Sequence, residues 1–180
     1  MSRGGRRESA VLVSVFRDSG GRVQLVVVRR VEGGVHGGQL AFPSGMREPG
    51  ETELETALRE AEEEIGLPRT AVRILSVLPA IETRTTGFRI VPWLGRIERP
   101  AGWLPARAEV AAVIEVALDE PTEPGTRGEA KERFPTWPEP QRIEFYRLSP
   151  HRLWGASSRI LDPLLPRLVA GQWEIYLNAT

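Results

Sequence analysis

Two stretches dominated by β-branched apolar residues open the chain, Ser9 to Arg17 and Arg22 to Arg30. Ser19-Gly20-Gly21 between them supplies a tight turn, so the pattern predicts a two-stranded hairpin. A Gly-rich loop is expected over Gly33 to Gly38, followed by a short extended piece, Gln39 to Pro43. Val72 to Pro79 and Phe88 to Ile97 read as strands, joined by the polar link Glu82 to Gly87. Glu109 to Leu118 opens like a helical turn and continues as an apolar strand, and Gln141 to Leu148 alternates like a half-buried one. Pro121 to Pro140 is rich in proline and charge and is expected to be an irregular loop. Ser157 to Ala170 has helical character, although Pro163 and Pro166 should break or kink it.

Thr52 to Ile65 is the clearest helix. Thr52 can cap it, and Glu55 three residues on completes a capping box. Gly66 and Pro68 stop it at the far end. At about 100° per residue, Leu54, Leu58, Ala61 and Ile65 fall on one narrow stripe, the expected core face. Glu53, Glu60, Glu63 and Glu64 then fall on the opposite side. Glu60 with Glu63 and Glu60 with Glu64 are like-charge pairs at helical spacing, which repel. Between Glu48 and Glu64 there are eight Glu against one Arg, Arg59, whereas a solvated surface face usually interleaves basic residues. Uncompensated oxygen-rich clusters suit hard divalent cations, which arrive with phosphate groups of the substrate.

Composition limits the alternatives. The 180 residues suit one domain, 1–180, with 1–8 read as a flexible tail and 121–140 as the Pro-rich loop. Lys+Arg and Asp+Glu are both 24, a balance that argues against a stable nucleic-acid complex. Cys is absent, which excludes thiolate metal sites and Cys nucleophiles. No apolar run approaches the ~20 residues of a membrane span, and Met1 to Glu8 lacks the apolar region of a signal peptide. A cytoplasmic domain without a membrane partner is therefore expected, as a monomer or homodimer. All basic residues but Lys131 are Arg, which fits a GC-rich or hot origin as well as bidentate phosphate recognition.

The linear pattern is more specific than any of these. Gly45, Glu51 and the run Arg59-Glu60-Ala61-Glu62-Glu63-Glu64-Ile65-Gly66-Leu67 resemble the Nudix box, G-x5-E-x7-R-E-U-x-E-E-x-G-U. All seven fixed positions match, and Ala61 is smaller than the usual aliphatic residue. The resemblance implies an α/β fold (α+β), an α/β/α sandwich with a mixed β-sheet, hydrolysing a nucleoside diphosphate linked to another moiety. It implies Mg2+ or Mn2+ held by Glu60 and Glu64, with Glu63 contributing or acting as base and the Gly45 carbonyl completing the set. Glu51 would pair with Arg59 and lock loop to helix. His36 and His151 are the only histidines, so the base falls more naturally to a carboxylate, Glu63 first and Glu109 second, with Glu82 at the border of the site.

His36 to Gly45, Ile81-Glu82-Thr83, Gly87 to Pro92 and Trp154 to Leu161 are similar to stretches of the coenzyme A pyrophosphatase subgroup, which releases 3',5'-ADP and 4'-phosphopantetheine. The chain departs from that subgroup at residues 25–30, which lack its polar Thr and Ser, at Gly34, where it has Arg, and at Ser44, where it has Gly. Substrate-binding candidates are Arg29, Arg30, Phe42, Gly45 and Arg84, with Arg89 as a further phosphate contact. Trp93, Trp103, Trp137 and Trp154 are candidates for stacking on a base, beside the commoner role of anchoring loops. The alternatives are another Nudix substrate, such as ADP-ribose, NADH or a dinucleoside polyphosphate, and a non-catalytic Nudix-fold nucleotide sensor.

Overall fold

Every residue from Ala10 to Phe16 is buried, which a strand achieves only when both its faces are covered. In this computed structural model, which describes residues 7–33, 37–83, 87–134, 137–148 and 150–178, that strand is β1 (Glu8–Arg17) and it lies at the centre of one mixed sheet. The other strands are β2 (Val23–Arg30), β3 (Leu40–Ala41), β4 (Ser44–Met46), β5 (Val72–Val77), β6 (Ile81–Glu82), β7 (Arg89–Ile97), β8 (Val110–Ala117), β9 (Arg127–Glu132), β10 (Gln141–Leu148) and β11 (His151–Trp154). Helix α1 (Glu53–Ile65) follows β4, α2 (Ala156–Val169) follows β11, and α3 (Glu174–Leu177) lies near the C-terminal end.

Alternate residues of β1 serve the two layers. Ala10, Leu12 and Phe16 pack with Ala57, Ala61 and Ile65 of α1, while Val11, Val13 and Val15 pack with Ile160, Leu161, Leu164 and Leu168 of α2. The same alternation divides β2, with Val26 and Val28 toward α1 and Leu25 and Val27 toward α2. The result is the expected α/β/α sandwich. β1 runs parallel to β7, from Glu8 opposite Arg89 to Val15 opposite Arg96. Its other edge is shared between β4, which pairs with Ser9 to Val11, and β2, which pairs with Ser14 to Arg17. The sheet continues through β2, β3, β11, β10 and β9.

Three expectations need correction. The segment 121–140 is not a continuous loop: β9 pairs with β10, from Gln141 opposite Glu132 to Tyr146 opposite Arg127. Glu8 is not part of a flexible tail, since its carbonyl accepts the Arg47 N–H (2.9 Å) and its carboxylate pairs with Arg47 (2.7 Å); residues 1–6 lie outside the described set. Pro163 and Pro166 leave α2 unbroken. Each costs a backbone hydrogen bond, and the burial of Ile160, Leu161, Leu164, Leu165 and Leu168 along one side outweighs that loss. No helix among the described residues is long and apolar enough to cross a membrane.

Candidate active site

Helix α1 begins where the sequence places it. The Glu55 N–H donates to Thr52 Oγ1 (3.2 Å) and the Thr52 N–H donates to Glu55 Oε2 (2.7 Å), a complete capping box. Gly66 ends the helix at φ 70, a left-handed conformation that only glycine adopts cheaply. Pairing of β4 with β1 sets Ala10 opposite Gly45 and Val11 opposite Ser44, bringing the loop backbone beside the inner side of α1.

Arg59 organises the acidic cluster. Its Nε donates to Glu51 Oε1 (2.7 Å), and its Nη2 donates to Glu51 Oε2 (3.2 Å) and the Met46 carbonyl (3.0 Å). Its Nη1 donates to Glu60 Oε1 (2.7 Å) and Glu63 Oε2 (3.1 Å). Glu51 also accepts the Glu48 N–H (3.1 Å) and the Thr56 hydroxyl (2.9 Å). These donors, Arg59 foremost, hold the Glu51 carboxyl down at about 2. Among the described residues, Glu51 and Arg59 thus tie loop to helix.

Glu64 does not sit on the polar side of α1. It is 4% exposed, because the helix turns the line Ala57, Ala61, Ile65 onto the sheet and Glu64 borders that line facing β4. Leu54 and Leu58, expected at the centre of the core stripe, are only half-buried at its margin. Burial pushes the Glu64 carboxyl up to about 7, against the opposing charge of Arg30 and the Ser44 N–H, which donates to Glu64 Oε2 (3.2 Å). Burial also raises Glu60, outweighing its contact with Arg59. The negative charge of Glu109 adds to the rise at both Glu60 and Glu64, and that of Glu63 adds to Glu60, so all four share one electrostatic neighbourhood. Glu63 is the exposed member, with 60% of its side chain open to solvent. Glu82 lies on β6, where its carbonyl accepts a hydrogen bond from Arg159 Nη1 (3.0 Å).

Beside Ser44 and Gly45 opens a cavity of about 830 Å³. Arg30 lines it; Arg29 instead faces Glu32 (3.6 Å). Phe42 is 1% exposed and packs in the core, so its ring offers nothing to a substrate, contrary to expectation. Arg84, His36 and Gly34 lie outside the described residues. Arg89 is engaged with Glu53 (3.4 Å) and Glu8 (3.8 Å). Trp103 donates to Glu115 (2.7 Å) and Trp93 packs against the α1 core, whereas Trp137 and Trp154 line the cavity. Phe134, Arg142 and Arg159 line it too, although nothing in their local sequence marks them as site residues. Ser44 adopts no left-handed φ, so its departure from glycine costs no backbone strain.

No three His, Asp or Glu side chains among the described residues are already gathered around one point. Glu60 and Glu63 are turned onto Arg59 instead. Two features nevertheless fit a cation. A Cβ on Gly45 would lie 2.0 Å from Glu60 Oε1, so the backbone and this carboxylate lie directly against each other. Glu64 is a buried carboxylate whose one hydrogen bond among the described residues comes from Ser44.

Comparison with known proteins agrees with this geometry. The NUDIX domain family model matches residues 5–155. Curated relatives described as "Uncharacterized Nudix hydrolase NudL", from Salmonella paratyphi B and Salmonella newport, are each 32% identical over 171 residues, covering 88% of this chain and 81% of theirs. Among solved structures, a MutT/nudix family protein from Enterococcus faecalis superposes with a TM-score of 0.61 at 16% identity, covering 94% of this chain and 64% of that one. A Nudix hydrolase from M. smegmatis, RenU, gives 0.56 at 24% identity, covering 69% and 84%. The box read from the sequence, the loop and helix that carry it and the family match coincide on the same residues, and the chain belongs to the Nudix hydrolases, enzymes that cleave phosphoric anhydrides.

Proposed function

We propose that this chain is a Mg2+- or Mn2+-dependent pyrophosphatase acting on a nucleoside diphosphate linked to another moiety, with coenzyme A or its acyl derivatives as the leading substrate. The observation that carries the reading is the meeting of Glu60 with the Gly45 backbone, and of Glu64 with the Ser44 N–H beside it, at the edge of the large cavity. Glu60, Glu64, Glu63 and the Gly45 carbonyl would hold the cation. Bound there, it would polarise the pyrophosphate and lower the pKa of a water.

The chain's own residues perform the remaining work. Arg30, which lines the same cavity as Ser44 and Gly45, offers a positive charge to the phosphates. Arg59, braced by Glu51, holds the carboxylates in register. The water oxygen bonds to one phosphorus, the bridging P–O bond breaks, and the water proton passes to a carboxylate. Glu63 is assigned that proton, with Glu109 as the residue to compare with it.

Similarity to the coenzyme A subgroup at His36 to Gly45 and Trp154 to Leu161 supports that substrate, giving 3',5'-ADP and (acyl-)4'-phosphopantetheine. Cytoplasmic location and a monomeric or homodimeric state belong to the same proposal. The test is a Mg2+-dependent assay over coenzyme A, ADP-ribose, NADH and diadenosine polyphosphates. Preferred cleavage of coenzyme A is expected. Preference for another substrate moves the assignment within the family, and turnover of none favours the nucleotide sensor.

A further inference from the structure

Phe134, Trp137 and Trp154 form an aromatic cluster in the cavity wall. Phe134 stacks on Trp154 with ring centroids 4.6 Å apart and planes 20° from parallel. Trp137 meets Phe134 edge-on at 4.6 Å and Trp154 at 6.1 Å. All three are only half-buried, and all three line the same cavity as Arg30, Ser44 and Gly45. Aromatic residues that merely pinned the connection between β9 and β10 would be expected to hide their surface in each other and in the sheet. These leave part of it facing the cavity.

Their position relative to the phosphate end follows from the sheet. Leu153, next to Trp154, pairs with Leu40 of β3, and Leu40 pairs with Arg29, next to Arg30. Two strand spacings separate β11 from β2, about 10 Å. That is the reach of a ribose with its diphosphate, laid across β3.

We propose that Phe134, Trp137 and Trp154 form the subsite that receives the nucleobase of the substrate, while its diphosphate lies at Arg30, Ser44 and Gly45. The inference rests on the nucleotide reading above and deepens it by placing the base. Stacking on such rings is tolerant of base identity, so the cluster contributes affinity for any nucleotide. The group beyond the diphosphate is selected elsewhere.

The test is calorimetric binding of ADP, UDP and inorganic pyrophosphate to the full chain with Mg2+, comparing wild type with Phe134→Ala, Trp137→Ala and Trp137→Phe. ADP and UDP are both expected to bind roughly tenfold or more weakly to each alanine variant. Pyrophosphate affinity should be unchanged, and Trp137→Phe should restore most of the loss. Nucleotide affinities that ignore both alanine substitutions would overturn the proposal. So would a parallel loss of pyrophosphate binding, which would mean that the cluster only supports the fold. Binding is read without turnover, so a chain that hydrolyses none of the diphosphates but shows this aromatic dependence keeps the base subsite and loses the hydrolase reading.

Discussion

Gly45 and Glu60 touch: a Cβ on the glycine would stand 2.0 Å from the carboxylate oxygen. Gly45 is not among the residues at positive φ, so space rather than backbone conformation demands glycine. The obstructing atoms are the end of a flexible side chain, which can move aside at little cost. Gly45→Ala is therefore expected to fold with a melting temperature close to wild type while kcat falls about a hundredfold, because the displaced carboxylate no longer meets the metal and substrate. Thermal melting beside steady-state kinetics checks both halves. An active Gly45→Ala enzyme would remove this contact from the mechanism.

Glu64→Gln separates stability from activity. The glutamine oxygen can still accept the Ser44 N–H, while the buried charge is gone. Metal-free Glu64→Gln should melt at or above wild type at pH 8, where the wild-type carboxyl, raised to about 7, is forced to ionise in a dry site. Its kcat should drop by about a hundredfold or more, as should that of Glu60→Gln. Near-normal kcat in both variants would refute the metal assignment.

Arg59 makes hydrogen bonds to Glu51, Glu60, Glu63 and the Met46 carbonyl. Lysine is a single charged point and cannot span that set. Arg59→Lys should cost about 2 kcal/mol or more of stability in denaturant titration and lower kcat as well. A variant as stable as wild type would show that loop and helix are held by other contacts.

Acid should loosen the same junction. The folded pKa of Glu51, about 2, lies below its ordinary 4.5, so its stabilisation is complete above pH 4.5 and is lost as pH falls toward 2. The loss is expected to be about 1–2 kcal/mol after allowing for solvent screening. Glu51→Gln should be less stable than wild type at neutral pH and should show a shallower decline over that window. An equally steep decline would move the acid sensitivity to another group.

Divalent metal should stabilise the fold. Mg2+ at a hundred times its Kd would add about 2.7 kcal/mol, read as a higher melting temperature in wild type. Glu60→Gln and Glu64→Gln should lose most of that increment. If the shift is equal in all three proteins, the cation binds elsewhere.

The legible parts of the molecule were those with a local code. Thr52, Glu55 and Gly66 mark the ends of α1 in sequence as they do in space, and the apolar runs of β1, β2 and β7 announce themselves. β9 could not be seen, because Arg-Gly-Glu-Ala-Lys-Glu carries no hydrophobic alternation and is an edge strand defined by its partner β10. The unbroken α2 was hidden for the opposite reason: local proline chemistry argued against it, and tertiary burial overruled. Within the site, the residue types and the Glu51–Arg59 pairing follow from the box pattern in the sequence. The inward turn of Glu64 on α1 and the burial of Phe42, just beyond β3, depend on which side of each segment faces the core. Phe134, Arg142 and Arg159 became visible only when distant segments closed one cavity.

That closure has a consequence for synthesis. β1 ends at Arg17, yet its parallel partner β7 ends at Ile97, and the cavity wall draws on Trp154 and Arg159. Such long-range pairing forms slowly and late. A ribosome-bound chain can display the acidic helix long before it has a cavity to serve, so its hydrolytic capacity should switch on as one event, only once the segment carrying Trp154 and Arg159 has emerged and packed.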